Sequence, residues 1–225
     1  MNDFLINTMA YRFSVWLVVT LNLLACQSSK NEKLPILGER KLDVVEVNGK
    51  KQIDTVYHTI APFSFIDQDS QSVTHRTLTG KIYVADFFFT SCRTICPIMK
   101  TQMLRVYDSI QKYDDVVIVS HTIDPEHDDV ARLHDFAAKL GVKSSKWHFV
   151  TGEKDSIYNL AQTSYFLTAL EDKSEPDGFI HSGAFLLIDK KRRIRGKYDG
   201  TSEEDVNRLI KDIGILRKEY AQKAN

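Results

Sequence analysis

The stretch IYVADFFFTSCRTICP, residues 82–97, joins a β-strand pattern to two closely spaced cysteines. Its first eight residues, Ile82 to Phe89, are nearly all apolar and β-prone, which predicts a central strand covered on both faces. Cys92 and Cys96 follow at the carboxyl end of that strand, where α/β sheets place their functional sites. Pro97 disfavours a helical backbone at Cys96 and suits the start of a helix. We therefore predict a thiol pair in a loop between a buried strand and a helix that begins at Pro97.

The segments around this stretch predict an α/β order of elements. Asn48-Gly49 between two β-prone runs is a strong hairpin signal, and apolar residues at helical spacing predict an amphipathic helix over residues 97–113. The other predicted elements are strands at 44–47, 53–58, 63–66, 116–120, 147–150, 184–188 and 194–198, and helices at 128–140, 153–162 and after Ser202. This order predicts a thioredoxin-like fold, in which helices flank a central sheet, with an added N-terminal β-hairpin.

The N-terminus predicts export. Phe13 to Ala25 is a mostly apolar run behind Arg12, which is short for a membrane span and typical of a signal peptide. Ala25-Cys26 is similar to a bacterial lipobox, in which the cysteine becomes the lipidated first residue. An uncleaved anchor with an incidental cysteine is the alternative interpretation. Both interpretations hold the protein at a membrane surface, with its domain facing outside the cytoplasm.

These signals predict the domain organisation and the location. Residues 1–25 are expected to be a signal peptide of the lipoprotein type, 26–40 the lipidated cysteine and its tether, and 41–225 a single thioredoxin-like domain in the bacterial cell envelope. The 30 basic and 30 acidic residues balance to a formal charge of zero, and no basic block occurs. The composition therefore argues against nucleic-acid binding.

The cysteine pair is suited to redox or metal chemistry. A helix N-terminus and the cationic Arg93 both favour thiolate. A loop of this length can close a disulfide or spread two sulfurs around a soft metal ion. A structural disulfide or two inert thiols are the alternatives, but the mature domain contains no other cysteine and the pair directly follows the predicted central strand.

A metal site needs a third ligand, and we expect a histidine. His181 lies in GFIHSG (178–183) before the predicted strand at 184–188. In thioredoxins the corresponding loop faces the dithiol and carries a proline, which is absent here. His121 follows the strand at 116–120 and is the second candidate. The remaining histidines are expected at the surface, in the core or near the hairpins: His58, His75, His127, His134 and His148.

Three motifs together resemble the Sco/SenC copper-chaperone family. They are FFFTSCRTICP (87–97), TIDPEHD (122–128) and IHS (180–182), the last ahead of LLID (186–189). They occur in the family's order, and the resemblance covers roughly Tyr57 to Leu216.

The resemblance implies a site for one copper ion, Cu(I) or Cu(II), per chain, formed by Cys92, Cys96 and His181 with the Asp124 segment nearby. Soft thiolates and an imidazole suit copper. The implied task concerns the dinuclear CuA centre of cytochrome c oxidase, with the oxidase copper subunit or its assembly factors as partners and Cys26 as the membrane anchor. Asp124 either orients His181 or a partner-facing loop, or caps a helix near residues 126–128.

Two functional classes remain open at this point. Copper delivery and thiol–disulfide exchange use the same two sulfurs, so the protein is chiefly a metallochaperone or, alternatively, a general extracytoplasmic thiol–disulfide oxidoreductase. A thioredoxin-fold peroxidase with Cys92 as the peroxidatic thiol is disfavoured, because it gives His181 no role. Met99 and Met103 are soft donors, but their helical spacing predicts core positions.

Overall fold

The structure, a computed structural model, describes residues 32–172, 174 and 178–223. Contacts divide the chain after Lys33, and the unit that begins at Leu34 contains all the elements below. The predicted signal peptide and the predicted lipidation site at Cys26 lie outside the described residues. None of the helices within those residues is both long and apolar enough to span a membrane.

The described residues form eleven strands and four α-helices. In chain order they are β1 (Arg40–Val47), β2 (Lys50–Tyr57), β3 (Ser64–Asp67), β4 (Ser72–Thr74), β5 (Ile82–Phe88), α1 (Cys96–Ile110), β6 (Val116–Thr122), α2 (Val130–Leu140), β7 (Trp147–Thr151), α3 (Lys154–Asn159), β8 (Ala169–Glu171), β9 (Phe179–His181), β10 (Ala184–Ile188), β11 (Ile194–Asp199) and α4 (Glu203–Lys223).

Seven strands make one mixed sheet in the order β11-β10-β5-β6-β7-β3-β4. The central strands β5, β6 and β7 are parallel, and β10 and β3 flank them antiparallel. Every residue of β5 and β6 is buried, as expected for strands covered on both faces. Because β5 and β6 are paired in parallel from Ile82↔Val116 to Phe88↔Thr122, their carboxyl ends lie side by side.

Helices cover both faces of this sheet. α1, α2 and α4 bury apolar side chains against one face, and Ile157 of α3 packs on the other. α2 begins at its N-cap Asp129, whose side chain accepts the N–H of Arg132, and ends at Gly141 with φ 69°. Ser202 accepts the N–H of Asp205 at the start of α4, as a capping residue does. The predicted fold class, a thioredoxin-like sheet between helices, is confirmed.

Two hairpins lie outside the central sheet. The predicted N-terminal hairpin is present, and Asn48 and Gly49 form its turn with φ angles of 54° and 74°. The second hairpin, β8–β9, was not predicted. It stands where the sequence predicted only a loop before β10. The predicted helix at 153–162 also differs, because α3 gives way to a π-helical turn over Leu160–Ser164.

The start of the unit is bound to the domain. The Arg195 guanidinium donates to the carbonyl oxygens of Leu34 and Pro35 and pairs with the Glu219 carboxylate, which also accepts the N–H of Leu34. Leu37 donates to the Ile194 carbonyl at 2.8 Å. Residues 34–37, which the sequence analysis assigned to the tether, are therefore held on the domain by hydrogen bonds.

Candidate metal centre

Cys92 and Cys96 lie at the carboxyl end of β5, where the chain passes into α1. The Cys92 N–H donates to the Phe89 carbonyl at 3.3 Å, which turns the loop back towards the strand. Cys96 is the first residue of α1, one residue earlier than predicted, with Pro97 next. Cys92 is buried, Cys96 is partly buried, and both thiols are free.

His181, the last residue of β9, faces these two sulfurs. Its Nε2 atom lies 3.3 Å from Cys96 Sγ and 3.9 Å from Cys92 Sγ. Pairing with Ala169 of β8 holds its backbone, and the Phe89 ring packs edge-on against its ring with centroids 5.7 Å apart. The unpredicted hairpin is therefore the element that brings the histidine to the dithiol.

The three donor atoms fit one metal ion. Cys92 Sγ, Cys96 Sγ and a ring nitrogen of His181 all lie within 4.8 Å of one another. Bonds of about 2.0 to 2.3 Å at tetrahedral or trigonal angles separate the ligand atoms of one ion by about 3.3 to 4.0 Å, which matches the two Sγ–Nε2 distances. Across residues 32–172, 174 and 178–223, no other group of three His, Cys, Asp or Glu side chains is this compact.

The two thiols differ in acidity. A hydrogen bond from Cys96 is the main cause that lowers the pKa of the Cys92 thiol to about 4. Burial opposes this shift, and hydrogen bonds from His181 and Thr94 add to it. The same hydrogen bond and burial raise the pKa of Cys96 well above its ordinary value. The pair therefore holds one proton tightly, and metal binding by both sulfurs must displace it.

Asp124 does not contact the imidazole of His181 through a hydrogen bond. His181 Nδ1 is buried and has no hydrogen-bond partner among the described residues. The Asp124 carboxylate instead lies 2.9 Å from His127 Nδ1. The backbone carbonyl oxygen of Asp124 accepts the backbone N–H groups of His127 and Asp128. Asp124 thus closes the turn before α2, but it does not cap that helix, whose N-cap is Asp129.

The other candidate donors lie elsewhere. His121 is fully buried in an aromatic cluster, stacked on Phe87 with centroids 4.9 Å apart, and burial lowers its pKa to about 3. His148 Nδ1 lies 2.9 Å from Asp67 Oδ2. Met99 and Met103 are buried in the core cluster beneath α1, as their spacing predicts.

Sequence reasoning missed two buried carboxylates near the dithiol, those of Asp86 and Asp128. Asp86 lies on β5 and lines a small cavity behind Cys92 and Cys96. Burial raises the pKa of Asp86 to about 6, against the opposing hydrogen bond from Ser120 and the charge of His181. The available signal for Asp86 was a lone charged residue inside an otherwise apolar strand.

A thioredoxin-like sheet whose dithiol faces a histidine defines a class of proteins that combine redox-capable cysteines with a compact S₂N site. The family model SCO1/SenC matches residues 51–215. The chain belongs to the SCO1/SenC family, which confirms the resemblance seen in the sequence.

Solved structures agree with this assignment. A SCO1/SenC family lipoprotein from Bacillus anthracis str. Ames is 29% identical with a TM-score of 0.66, over 71% of this chain and 95% of that one. BsSco, a member of the Sco family of cytochrome c oxidase assembly proteins, is 30% identical with a TM-score of 0.63, over 71% and 93%. Copper-bound ScoI of Arabidopsis thaliana is 27% identical with a TM-score of 0.58, over 70% and 98%.

Proposed function

We propose that this protein binds one copper ion through Cys92 Sγ, Cys96 Sγ and His181 Nε2, and that it serves the CuA centre of cytochrome c oxidase. The observation that carries the proposal is the approach of these three donor atoms to within 4.8 Å of one another. The likeness to copper-bound ScoI and to the oxidase assembly protein BsSco supports it.

Copper is the cargo of this function. Two thiolates select Cu(I), and the imidazole adds a borderline donor that suits Cu(II) as well. Cys96 and His181 are only partly buried, so an acceptor's thiols have access to the site. Binding needs both sulfurs reduced, so a Cys92–Cys96 disulfide and a bound ion exclude one another.

The free thiols of Cys92 and Cys96, whose sulfurs lie within 4.8 Å of each other, favour a second candidate function, reduction of the acceptor's disulfide. The Cys92 thiolate would attack one sulfur of that disulfide and release the other as a thiolate, forming a mixed disulfide. Cys96 would then give its proton to the released thiolate and attack Cys92 Sγ, which releases the acceptor's second sulfur as a thiolate. The acceptor gains two electrons and this protein is left with a Cys92–Cys96 disulfide.

The proposal includes a location. We place the domain in the bacterial cell envelope, outside the cytoplasm, on a lipid attached to Cys26. The lipobox-like Ala25-Cys26 supports this, and the B. anthracis relative is a lipoprotein. Tethering at the membrane that holds the acceptor raises the effective concentration without any new contact.

Copper titration of the reduced protein tests the site, comparing wild type with His181→Ala. Wild type should bind one copper per chain and give a thiolate-to-Cu(II) charge-transfer band, and the variant should lose the band or the stoichiometry. His134→Ala, an exposed histidine in α2, is the matched control. If His181→Ala keeps both signals, the three-ligand site is wrong.

A Cys26→Ser variant exported by a cleavable signal tests the anchor. It should bind copper as wild type does but support oxidase assembly poorly at native expression. Full rescue of assembly at matched levels would contradict the anchoring role, and loss of copper binding would instead place Cys26 in the metal site.

A further inference from the structure

The Asp128 side chain is buried next to the dithiol loop with only 1% of its surface exposed. Its Oδ2 accepts the backbone N–H of Thr90 at 3.0 Å and the Thr122 hydroxyl at 2.6 Å. Its Oδ1 accepts the Thr90 hydroxyl at 2.5 Å, and Arg132 Nε lies 3.4 Å away. One carboxylate therefore takes three hydrogen bonds, and a cation lies beside it.

These contacts join the two strand ends that border the site. Thr122 is the last residue of β6 and is paired in register with Phe88, the last residue of β5. Thr90 lies two residues further along and two residues before Cys92, in the loop that carries the thiol. Asp128 thus connects the fixed edge of the sheet to the start of the dithiol loop.

We propose that Asp128 is a positioning residue for the dithiol: by holding Thr90, it sets the place of Cys92 Sγ relative to Cys96 Sγ and His181 Nε2. The proposal rests on the copper site above. It also gives different roles to two aspartates of the motif at 122–128: Asp124 closes the turn before α2, and Asp128 holds the dithiol loop.

The chemistry of the contact explains why a carboxylate is needed. All of the neighbouring groups are donors, and an ionised carboxylate offers only acceptors. Hydrogen bonds to a charged acceptor are also shorter and stronger than neutral ones. An asparagine of nearly the same shape keeps the volume but removes the negative charge, and its NH₂ group replaces one of the two acceptor oxygens, so the hold on Thr90 is weakened.

The test compares Asp128→Asn with two control variants, each with one aspartate replaced by asparagine in the full-length protein. Asp129→Asn changes the neighbouring aspartate and keeps an N-cap for α2. Asp124→Asn changes the aspartate that closes the turn before α2. We expect copper affinity to fall about 10- to 100-fold in Asp128→Asn, the range found when groups that support metal ligands are removed. The thiolate-to-Cu(II) band should shift as well, and both controls should stay within about threefold of wild type.

Thr90 provides a second pair of variants in case Asp128→Asn does not fold. Thr90→Val removes the hydroxyl that contacts Asp128 and should shift the band and weaken binding, whereas Thr90→Ser keeps the hydroxyl and should behave as wild type. The proposal is overturned if a folded Asp128→Asn, or failing that Thr90→Val, matches wild type in affinity and band, or if Asp124→Asn equals Asp128→Asn.

A readout without copper separates this inference from the proposed function. The reduction potential of the Cys92–Cys96 pair and the alkylation rate of Cys92 depend on the placement and surroundings of the sulfurs and can be measured without copper. If wild type binds no copper through His181, the proposed function fails, yet both quantities should still change in Asp128→Asn and not in Asp129→Asn. Unchanged values in that case would overturn the positioning role.

Discussion

The two sides of the candidate metal centre are built very differently. The sulfurs follow β5, whose seven residues are all buried and which is paired with β6 on one side and β10 on the other. The imidazole comes from β9, three partly buried residues whose strand partners, within the part of the chain that the structure describes, are the three residues of β8. Its Nδ1 has no hydrogen-bond partner within the described residues.

The centre thus combines a rigid half, which carries the sulfurs, with a weakly held half, which carries the imidazole. Local opening costs least where few apolar contacts and few backbone hydrogen bonds must be broken. Among the backbone contacts of the histidine side are the β8–β9 ladder and the bond from the Ser182 N–H to the Thr168 carbonyl. We therefore expect the imidazole to leave an ion before the sulfurs do.

The largest effect should come from removing a sulfur. Cys96→Ser replaces a soft thiolate on the rigid side with a hard, weakly acidic hydroxyl, so we expect a loss of Cu(I) affinity greater than about 100-fold, beyond the range for supporting groups. His181→Ala should lose less Cu(I) affinity, because two thiolates remain. Competition with a Cu(I) chelator measures both. An equal or larger loss in His181→Ala would contradict the comparison.

A matched pair of leucines compares the stability of the two sides. Leu187 of β10 is fully buried beside β5, whereas Leu170 of β8 is 36% exposed. Leu187→Ala should lower the free energy of unfolding by about 2 to 5 kcal/mol, because it leaves a cavity in a packed core. Leu170→Ala should cost less than about 1 kcal/mol. Denaturant unfolding followed by circular dichroism measures both, and similar losses would show that the hairpin is part of the core.

The rigid side was largely predictable from the sequence, because the patterns that determine it lie within short stretches of the chain. Ile82 to Phe89 has the apolar, β-prone pattern of a covered strand, and β5 ends within one residue of the prediction. Asn48-Gly49 likewise determines its turn through backbone conformation alone. Patterns of this kind depend on residues within a few positions of one another.

The weakly held side was not predictable in the same way. His181 was chosen as the third ligand, but the strand that carries it has only three residues, too few for a clear β pattern, and it pairs with residues 169–171. Pro176-Asp177-Gly178 in the connection is a turn signal that the sequence analysis did not use. Asp128 was missed because its donors Thr90 and Thr122 belong to two strand ends that meet only in the folded sheet. The hairpin was missed because its strands are too short to show a pattern, whereas the contact between Asp128 and Thr90 depends on pairing between distant parts of the chain.

The smallest expected effect is a change in how stability depends on pH, and it comes from the Asp86 carboxylate buried on the rigid side. Burial raises the pKa of Asp86 to about 6, above its unfolded value of about 4, so the folded state prefers the protonated acid. The stability contribution of Asp86 is present below about pH 4 and is lost as pH rises through about 6.

Asp86→Asn stays neutral and its amide oxygen still accepts the Ser120 hydroxyl, so at pH 7.5 the metal-free variant should be more stable than wild type by about 1 to 3 kcal/mol. Denaturant unfolding from pH 4 to 7.5 measures the difference, which should vanish at the acidic end; a difference that is constant with pH would mean that Asp86 does not titrate in this range.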